Sequence, residues 1–314
     1  MILILSHPGD VHSQAVVRAL ARKGAPHRLL DLSNYPKRQR STWHYKGRER
    51  SFRLDTPDGP LDLAQCRVIW WRRPQPFDIH EELCDPELQQ FAQAEIYEAF
   101  AGMWNALDAV WMNPPRNDEV AHRKVYQLRV AQDVGLTVPE TLITSDPDAA
   151  RAFVARRGVG GTIYKAFSAT ERLWRETRLV KPEEVALIEN VAYAPVIFQE
   201  YVPAEVDLRI TVVGDEIFAA EVHSQQTRYK VDMRMDINNA SIVPAKLPEE
   251  VEDCLHRLMA RLGLVYGAID MRRRPDGTHV FLEINPAGQW LFIEEKTGQP
   301  ISEAIASWML AQSD

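Results

Sequence analysis

Apolar and polar positions alternate with different periods in the two halves of the chain. The chain opens with Met1–Leu5, an unbroken apolar run closed by His7, Pro8 and Gly9. A run this short, bounded by turn residues, predicts a buried strand. Val16, Val17, Leu20 and Ala21 recur at helical spacing within Val11–Lys23, and Gly24 ends that helix. Arg28–Leu32 and Val68–Trp71 read as further strands and Pro86–Ala109 as a long helix. The arginine-rich stretch Pro36–Arg53 reads as a loop or an exposed hairpin. Strands alternating with helices predict a mostly parallel sheet over residues 1–115.

Asn113-Pro114-Pro115-Arg116-Asn117 is the expected boundary, because two prolines favour an extended linker over a helix. Asn117 can then cap a helix running to Gly135, with Asp118 and Glu119 in its first turn. The apolar stripe of that helix is Val120, Ala121, Val125, Leu128 and Ala131, and Lys124 falls inside it. A lysine there either snorkels to water or meets an anion. Residues 141–202 read as strand, helix, strand, strand, short helix, strand. Residues 207–285 alternate as antiparallel strands around a helix at 249–262, and a last helix covers 300–311.

The segment Val265–Pro286 carries the most chemistry. Asp276-Gly277 is a dipeptide that closes a two-residue hairpin. With that turn, Asp270 falls opposite Glu283, and Asn285 projects from the same face. Facing carboxylates repel unless a cation sits between them, and an all-oxygen set suits a hard ion such as Mg²⁺ or Mn²⁺. The same spacing also fits two carboxylates on a solvated hairpin, since Ile269, Met271, Leu282 and Ile284 supply an apolar opposite face either way. Lys165 repeats the oddity of Lys124 on a strand, sharing a face with Ile163 and Phe167. Two such lysines point to an anionic ligand such as a phosphate.

In Asp207–Val213 the polar face carries Asp207, Arg209 and Thr211, opposite Leu208, Ile210 and Val212. A surface ion pair is the plain reading of Asp207 and Arg209. Asp232–Asp236 alternates likewise, with Arg234 between two carboxylates. It reads as an exposed edge strand or as a guanidinium fork for phosphate or carboxylate.

Composition narrows the function. With 37 basic and 44 acidic residues the net charge is −7, which speaks against nucleic acid as the partner. Three dispersed cysteines predict reduced thiols in the cytoplasm. No apolar run is long enough for a signal peptide or a membrane span. No Walker phosphate loop, HExxH or GxSxG occurs, and Gly158–Gly161 precedes a strand instead of opening a helix. His7–Asp10 sits between a strand and a helix, where it could meet an anion, and reads first as a plain βα turn. Trp70-Trp71-Arg72-Arg73-Pro74 reads as a packed strand end.

Taken in order, Lys124 in HRKVYQLRVAQDVGLTVPET, Lys165 in TIYKAF, IFQEYVPAEVDLRITVVGD, VDMRMD, GAIDMR and FLEINPAG resemble the ATP-grasp ligase superfamily, over about residues 113–311. LEINPAGQWLFIEEKTGQPISEAIA looks like the ribosomal-protein glutamate ligases. YPKR, WWRRP, EVHSQ and VDMR look closer still to the microviridin-type ligases, which join side chains within ribosomally made precursor peptides. The resemblance implies an α/β, ATP-grasp fold. Two α+β subdomains (116–200 and 201–314) would clamp ATP behind a smaller α/β pre-ATP-grasp domain, 1–115.

It also implies roles. Lys124 and Lys165 would hold the ATP phosphates. Gln199, Glu200, Tyr201 and Val202 would form the adenine hinge, with Asp207 near the ribose. Asp270, Glu283 and Asn285 would carry two Mg²⁺ ions, or Mn²⁺, and Arg209 and Arg234 would stabilise the transferring group. The implied reaction activates Asp or Glu side chains of a precursor peptide (leader plus core) as acyl phosphates and forms an ester or amide. Its leader would dock on the first domain or along the Asp207–Glu221 hairpin. Addition of a free amino acid, and a nucleotide-binding scaffold without turnover, are the competing readings. Neither nucleic acid nor membrane is an expected partner, and a homodimer is compatible with all of this. One departure is the glycine-free stretch 166–175, where Ser168 and Thr170 would have to supply the hydrogen bonds of a phosphate-covering loop.

Overall fold

The computed structural model describes residues 1–167 and 176–313. Ile2–Leu5 lies between His27–Leu30 and Val68–Trp71, with Val110–Met112 outermost, and all four strands run parallel. Period-two alternation splits their side chains between two cores. Ile2, Ile4 and Trp70 pack with helices Val11–Arg22 and Ile301–Ala311, whereas Leu3, Leu5 and Ile69 pack with Phe100 and Trp104 of helix Pro86–Ala106. The arginine-rich stretch forms the hairpin Arg40–Lys46 and Glu49–Thr56, extended by Gly59–Asp62. Phe52, Leu54 and Leu61 anchor it in the second core.

The expected linker is built differently. Pro115 starts helix Pro115–Ala121, where its missing N–H costs nothing. Asn117 lies inside that helix and donates to the Gly263 carbonyl at 2.8 Å instead of capping. Asn113 is buried and acts as a four-bond staple. Its amide donates to the carbonyls of Tyr266 (2.8 Å) and Pro286 (3.0 Å) and accepts from the N–H groups of Val265 (2.8 Å) and Tyr266 (3.0 Å). The helix expected to reach Gly135 breaks at His122 and Arg123 and restarts as Lys124–Asp133. The predicted apolar stripe therefore holds at Ala121 and Ala131 and fails at Val120 and Val125, which are exposed. The buried face is Ala121, Gln127, Val130 and Ala131.

Residues 141–200 follow the expected order of elements. Arg178–Leu179, Thr162–Lys165, Val196–Glu200 and Thr141–Thr144 form an antiparallel sheet under helix Pro147–Arg157. A five-stranded antiparallel sheet follows, in the order Ile242–Ala245, Glu216–Val222, Val206–Val213, Tyr266–Arg273, His279–Asn285. Helix Glu249–Leu262 covers one face through Leu255, Leu258, Met259 and Leu262, against Leu208, Ile210 and Val212.

Three expectations change here. Val206–Val213 is buried along its whole length, so Asp207, Arg209 and Thr211 form an interior polar row and not a solvated face. Asp232–Asp236 is no strand; Asp232 caps the short 3₁₀ turn Met233–Met235. Helix Leu291–Thr297 was not foreseen. Among the described residues no helix is long and apolar enough to cross a membrane.

Candidate active site

The hairpin that brings Asp270 to Glu283 reaches the expected pairing by an unexpected route. The Gly277 N–H donates to the Arg274 carbonyl and the Arg274 N–H to the Thr278 carbonyl, both at 2.9 Å, so the turn also includes Pro275. Arg273 therefore pairs with His279 and Met271 with Phe281. A bulge at Leu282 then adds one residue to the second strand and restores Asp270 opposite Glu283. The two offsets cancel. The bulge also turns Leu282 out of the apolar face expected for it and into the cleft wall.

Arg209 stands opposite Asp270 on the other side, so Arg209, Asp270 and Glu283 form one row across three strands. Arg209 donates from Nη1 to Asp270 Oδ1 and from Nη2 to the Gln289 carbonyl, each at 2.7 Å. One rung along, the polarity is reversed: Arg272 Nε donates to Asp207 Oδ1 at 2.7 Å, and the Ser224 hydroxyl donates to Asp207 Oδ2. Asp207 and Arg209 are thus each paired across the sheet with Tyr266–Arg273 and not with one another.

Lys124 donates to Glu283 Oε2. Gln127, within one turn of it, donates to the carbonyls of Ala121 and Ile284 and accepts from the Ile284 N–H at 3.3 Å. Burial drives the Asp270 carboxyl above its ordinary range against the pull of Arg209, and the Glu283 charge adds to the rise. Burial acts on Glu283 too, but Lys124, Lys165 and Arg234 outweigh it and hold that carboxyl down to about 2. Burial brings Lys165 down to about 8, against the attraction of Glu283.

One cleft collects most of the expected residues. Lys165, Gln199–Val202, Asp207, Arg234, Asp270 and Glu283 all line it. Lys124 and Arg209 reach it through the carboxylates they bind. Asn285 sits two residues past Glu283, with its Oδ1 accepting from the Ala287 N–H at 2.9 Å. Gln199 donates to Thr141 Oγ1 at 2.8 Å. The Glu200 carboxylate accepts from Arg274 (2.9 Å) and from the Glu140 N–H (3.3 Å), and the Glu200 N–H donates to the Glu140 carbonyl at 2.8 Å. Arg234 folds onto Asp232 through Nε and Nη2 and keeps Nη1 3.9 Å from Glu283 Oε1. Ser168 and Thr170 lie outside the described residues.

Two residues that organise the site were not foreseen. Arg272 is one, and its only sequence signal is its place two residues after Asp270. Arg72 is the other, at the packed strand end Trp70–Pro74. It is fully buried, pairs with Asp10 at 3.2 Å, and donates to the carbonyls of Ala287 (2.6 Å) and Gly288 (2.8 Å) beneath the Trp290 ring. It ties the first sheet to the turn that follows Asn285. The Asp10 carboxylate caps helix Val11–Arg22, accepting from the N–H groups of His12 and Ser13.

Comparison with known proteins agrees with this layout. Residues 1–119 match the family model of the MvdD pre-ATP grasp domain and residues 121–309 that of the RimK-like ATP-grasp domain. The macrocyclase MdnC from Microcystis aeruginosa MRC, solved with its precursor peptide MdnA, is 28% identical over 99% of both chains, with a TM-score of 0.87. MdnB from the same organism is 31% identical over 98% of both chains, with a TM-score of 0.83. A RiPP-associated ATP-grasp ligase from Chryseobacterium gregarium, solved with ADP and a leader and core peptide, is 26% identical over 99% of this chain and 96% of that one, with a TM-score of 0.90. No curated protein matches the chain. With an interior row of facing carboxylates and cations, and a matching model over more than half its length, the chain belongs to the RimK-like ATP-grasp family.

Proposed function

We propose that the chain is an ATP-dependent, ADP-forming ligase that activates Asp or Glu side chains of a precursor peptide and joins them to a hydroxyl or amine of the same peptide. One observation carries this reading: Asp270 and Glu283 face each other in a cleft that Lys124, Lys165, Arg209 and Arg234 surround. The γ-phosphoryl passes from ATP to a carboxylate oxygen, giving an acyl phosphate and ADP. The hydroxyl or amine then attacks the carbonyl, phosphate leaves, and the nucleophile loses its proton. Such transfer needs placement and charge neutralisation and no protein nucleophile.

The donor set fits Mg²⁺. Asp270 and Glu283 offer oxygen only, with Asp270 Oδ2 and Glu283 Oε1 outside the bonds to Arg209 and Lys124, and Asn285 would add an amide oxygen that now accepts from the Ala287 N–H. One or two bound Mg²⁺ would neutralise and orient the phosphates. Lys124 and Lys165 take phosphate oxygens. Arg209 and Arg234 meet the charge that develops on the transferring group. Gln199–Val202 receive the adenine. Asp207 is kept near the ribose, where its carboxylate already holds Arg272.

Support for a peptide substrate comes from the precursor peptides named with MdnC and the Chryseobacterium ligase. The Asp207–Glu221 hairpin is buried except around its tip at Asp215 and Glu216, which favours the first domain as the leader's docking face. The match to the RimK-like domain favours, as a second reading, addition of a free amino acid. Mass spectrometry after incubation with ATP, Mg²⁺ and the peptide encoded beside the gene separates them. A crosslink removes one water per bond, whereas the second reading adds the mass of a residue. Unchanged peptide mass with no ADP released defeats both.

A further inference from the structure

We propose that Arg272 is a positioning residue for this reaction, locking the nucleotide hinge at Val202 to the segment 228–236 that carries Arg234. The proposal rests on the nucleotide reading of the cleft and adds a residue to it. Arg272 is 4% exposed and uses all three of its nitrogens. Nε donates to Asp207, Nη1 to the Val202 carbonyl at 2.8 Å, and Nη2 to the carbonyls of Lys230 and Val231, both at 2.9 Å. Its guanidinium also lies over the Tyr201 ring, 5.5 Å from the centroid. One planar fork thus holds two cleft walls that are 28 residues or more apart in sequence, from Val202 to Lys230.

Chemistry explains why arginine stands here. A lysine ammonium is a point donor and cannot reach a carboxylate, the hinge carbonyl and two further carbonyls in three directions. The segment it holds is also tied by the buried Met233 side chain and by the Tyr229 hydroxyl, which donates to the Thr177 carbonyl, and Arg272 joins it to the hinge. Residues 230 and 231 are anchored beside the hinge just before Arg234, whose Nη1 lies 3.9 Å from Glu283 Oε1. Asp207, pinned in turn by Ser224, sets the orientation of the fork. The placement of Arg234 therefore follows that of the hinge.

Arg272→Lys in the full chain tests this, with three readings: Mg·ADP binding, turnover at saturating ATP, and amide exchange of 228–236 in the Mg·ADP complex. The expected variant binds nucleotide within about tenfold of wild type, yet loses about a hundredfold in kcat, the scale of a misplaced catalytic group. Its 228–236 amides exchange faster while those of the hinge stay protected. A folded variant with wild-type kcat, or with its whole loss in KM, overturns the proposal. If Arg272→Lys does not fold, Ser224→Ala loosens Asp207 and keeps the guanidinium. A smaller fall in kcat with unchanged KM then supports the coupling, and a loss of thermal stability alone overturns it. A wild-type chain that binds Mg·ADP but makes no product defeats the substrate reading only, because exchange in the nucleotide complex still reports the anchor.

Discussion

Lys124 meets Glu283 across 159 residues of chain, and Gln127 fixes where they meet. The break at His122 and Arg123 leaves the Ala121 carbonyl without a helical partner, and the Gln127 side chain takes it up. The same amide pairs with both main-chain groups of Ile284, the residue next to Glu283. A single side chain thus sets helix Lys124–Asp133 in register with strand His279–Asn285.

Gln127→Leu keeps the approximate shape but strands the buried N–H of Ile284. It is expected to destabilise the fold by about 1–3 kcal/mol, the cost of an unsatisfied buried polar group. Denaturant unfolding checks this, and an unchanged midpoint counts against the account.

Glu283→Ala removes the carboxylate on which Lys124, Lys165 and Arg234 converge. ADP formation should vanish while the circular dichroism spectrum stays that of wild type. Wild-type turnover in this variant would refute the metal assignment.

Gly288→Ala places a Cβ 2.3 Å from that of Ala268 and 3.1 Å from Arg209 Nη2. Neither neighbour can yield easily, since Ala268 lies in a central strand and Arg209 holds Asp270. A loss of about 1–3 kcal/mol is expected from overpacking, with a fall in turnover beside it. A variant as stable and active as wild type would show that the turn after Asn285 has slack.

His12 is buried against Trp290, its ring 4.6 Å away, and accepts from the Trp290 N–H at 3.4 Å. Burial, reinforced by the charge of Arg72, brings its pKa down to about 3. The folded chain therefore binds fewer protons here than the unfolded chain, whose histidine titrates near 6.5. Stability rises with pH between those values and is lost as pH falls below about 6.5. His12→Asn, which keeps an acceptor, should flatten the change in unfolding midpoint between pH 7 and pH 5. An equally steep wild-type and variant profile would place the acid sensitivity elsewhere.

Strand alternation, which acts over a few residues, made the parallel sheet and Lys165 legible, whereas the Asp270–Glu283 pair follows from a bulge that cancels the longer turn, and the stripe that singled out Lys124 is only partly buried. Local patterns failed where distant partners decide. Asn113 looked like part of a linker, yet all four of its bonds are made to residues more than 150 positions away. Asp232–Asp236 alternates like a strand, but Asp232 satisfies the turn and Arg272 holds the carbonyls before it. The interior placement of Asp207 and Arg209 has the same origin. Alternation marks two faces of a strand, and only distant partners show that the polar one is interior: Arg272 and Ser224 hold Asp207, and Asp270 and the Gln289 carbonyl hold Arg209.

The central claim is that a peptide carboxylate becomes an acyl phosphate in the Asp270–Glu283 cleft. Hydroxylamine added with ATP, Mg²⁺ and the precursor peptide traps such an intermediate. The account predicts hydroxamates on Asp or Glu side chains, one ADP for each, and neither with Glu283→Ala. Release of AMP and pyrophosphate, or ADP-free modification of the peptide, would contradict it.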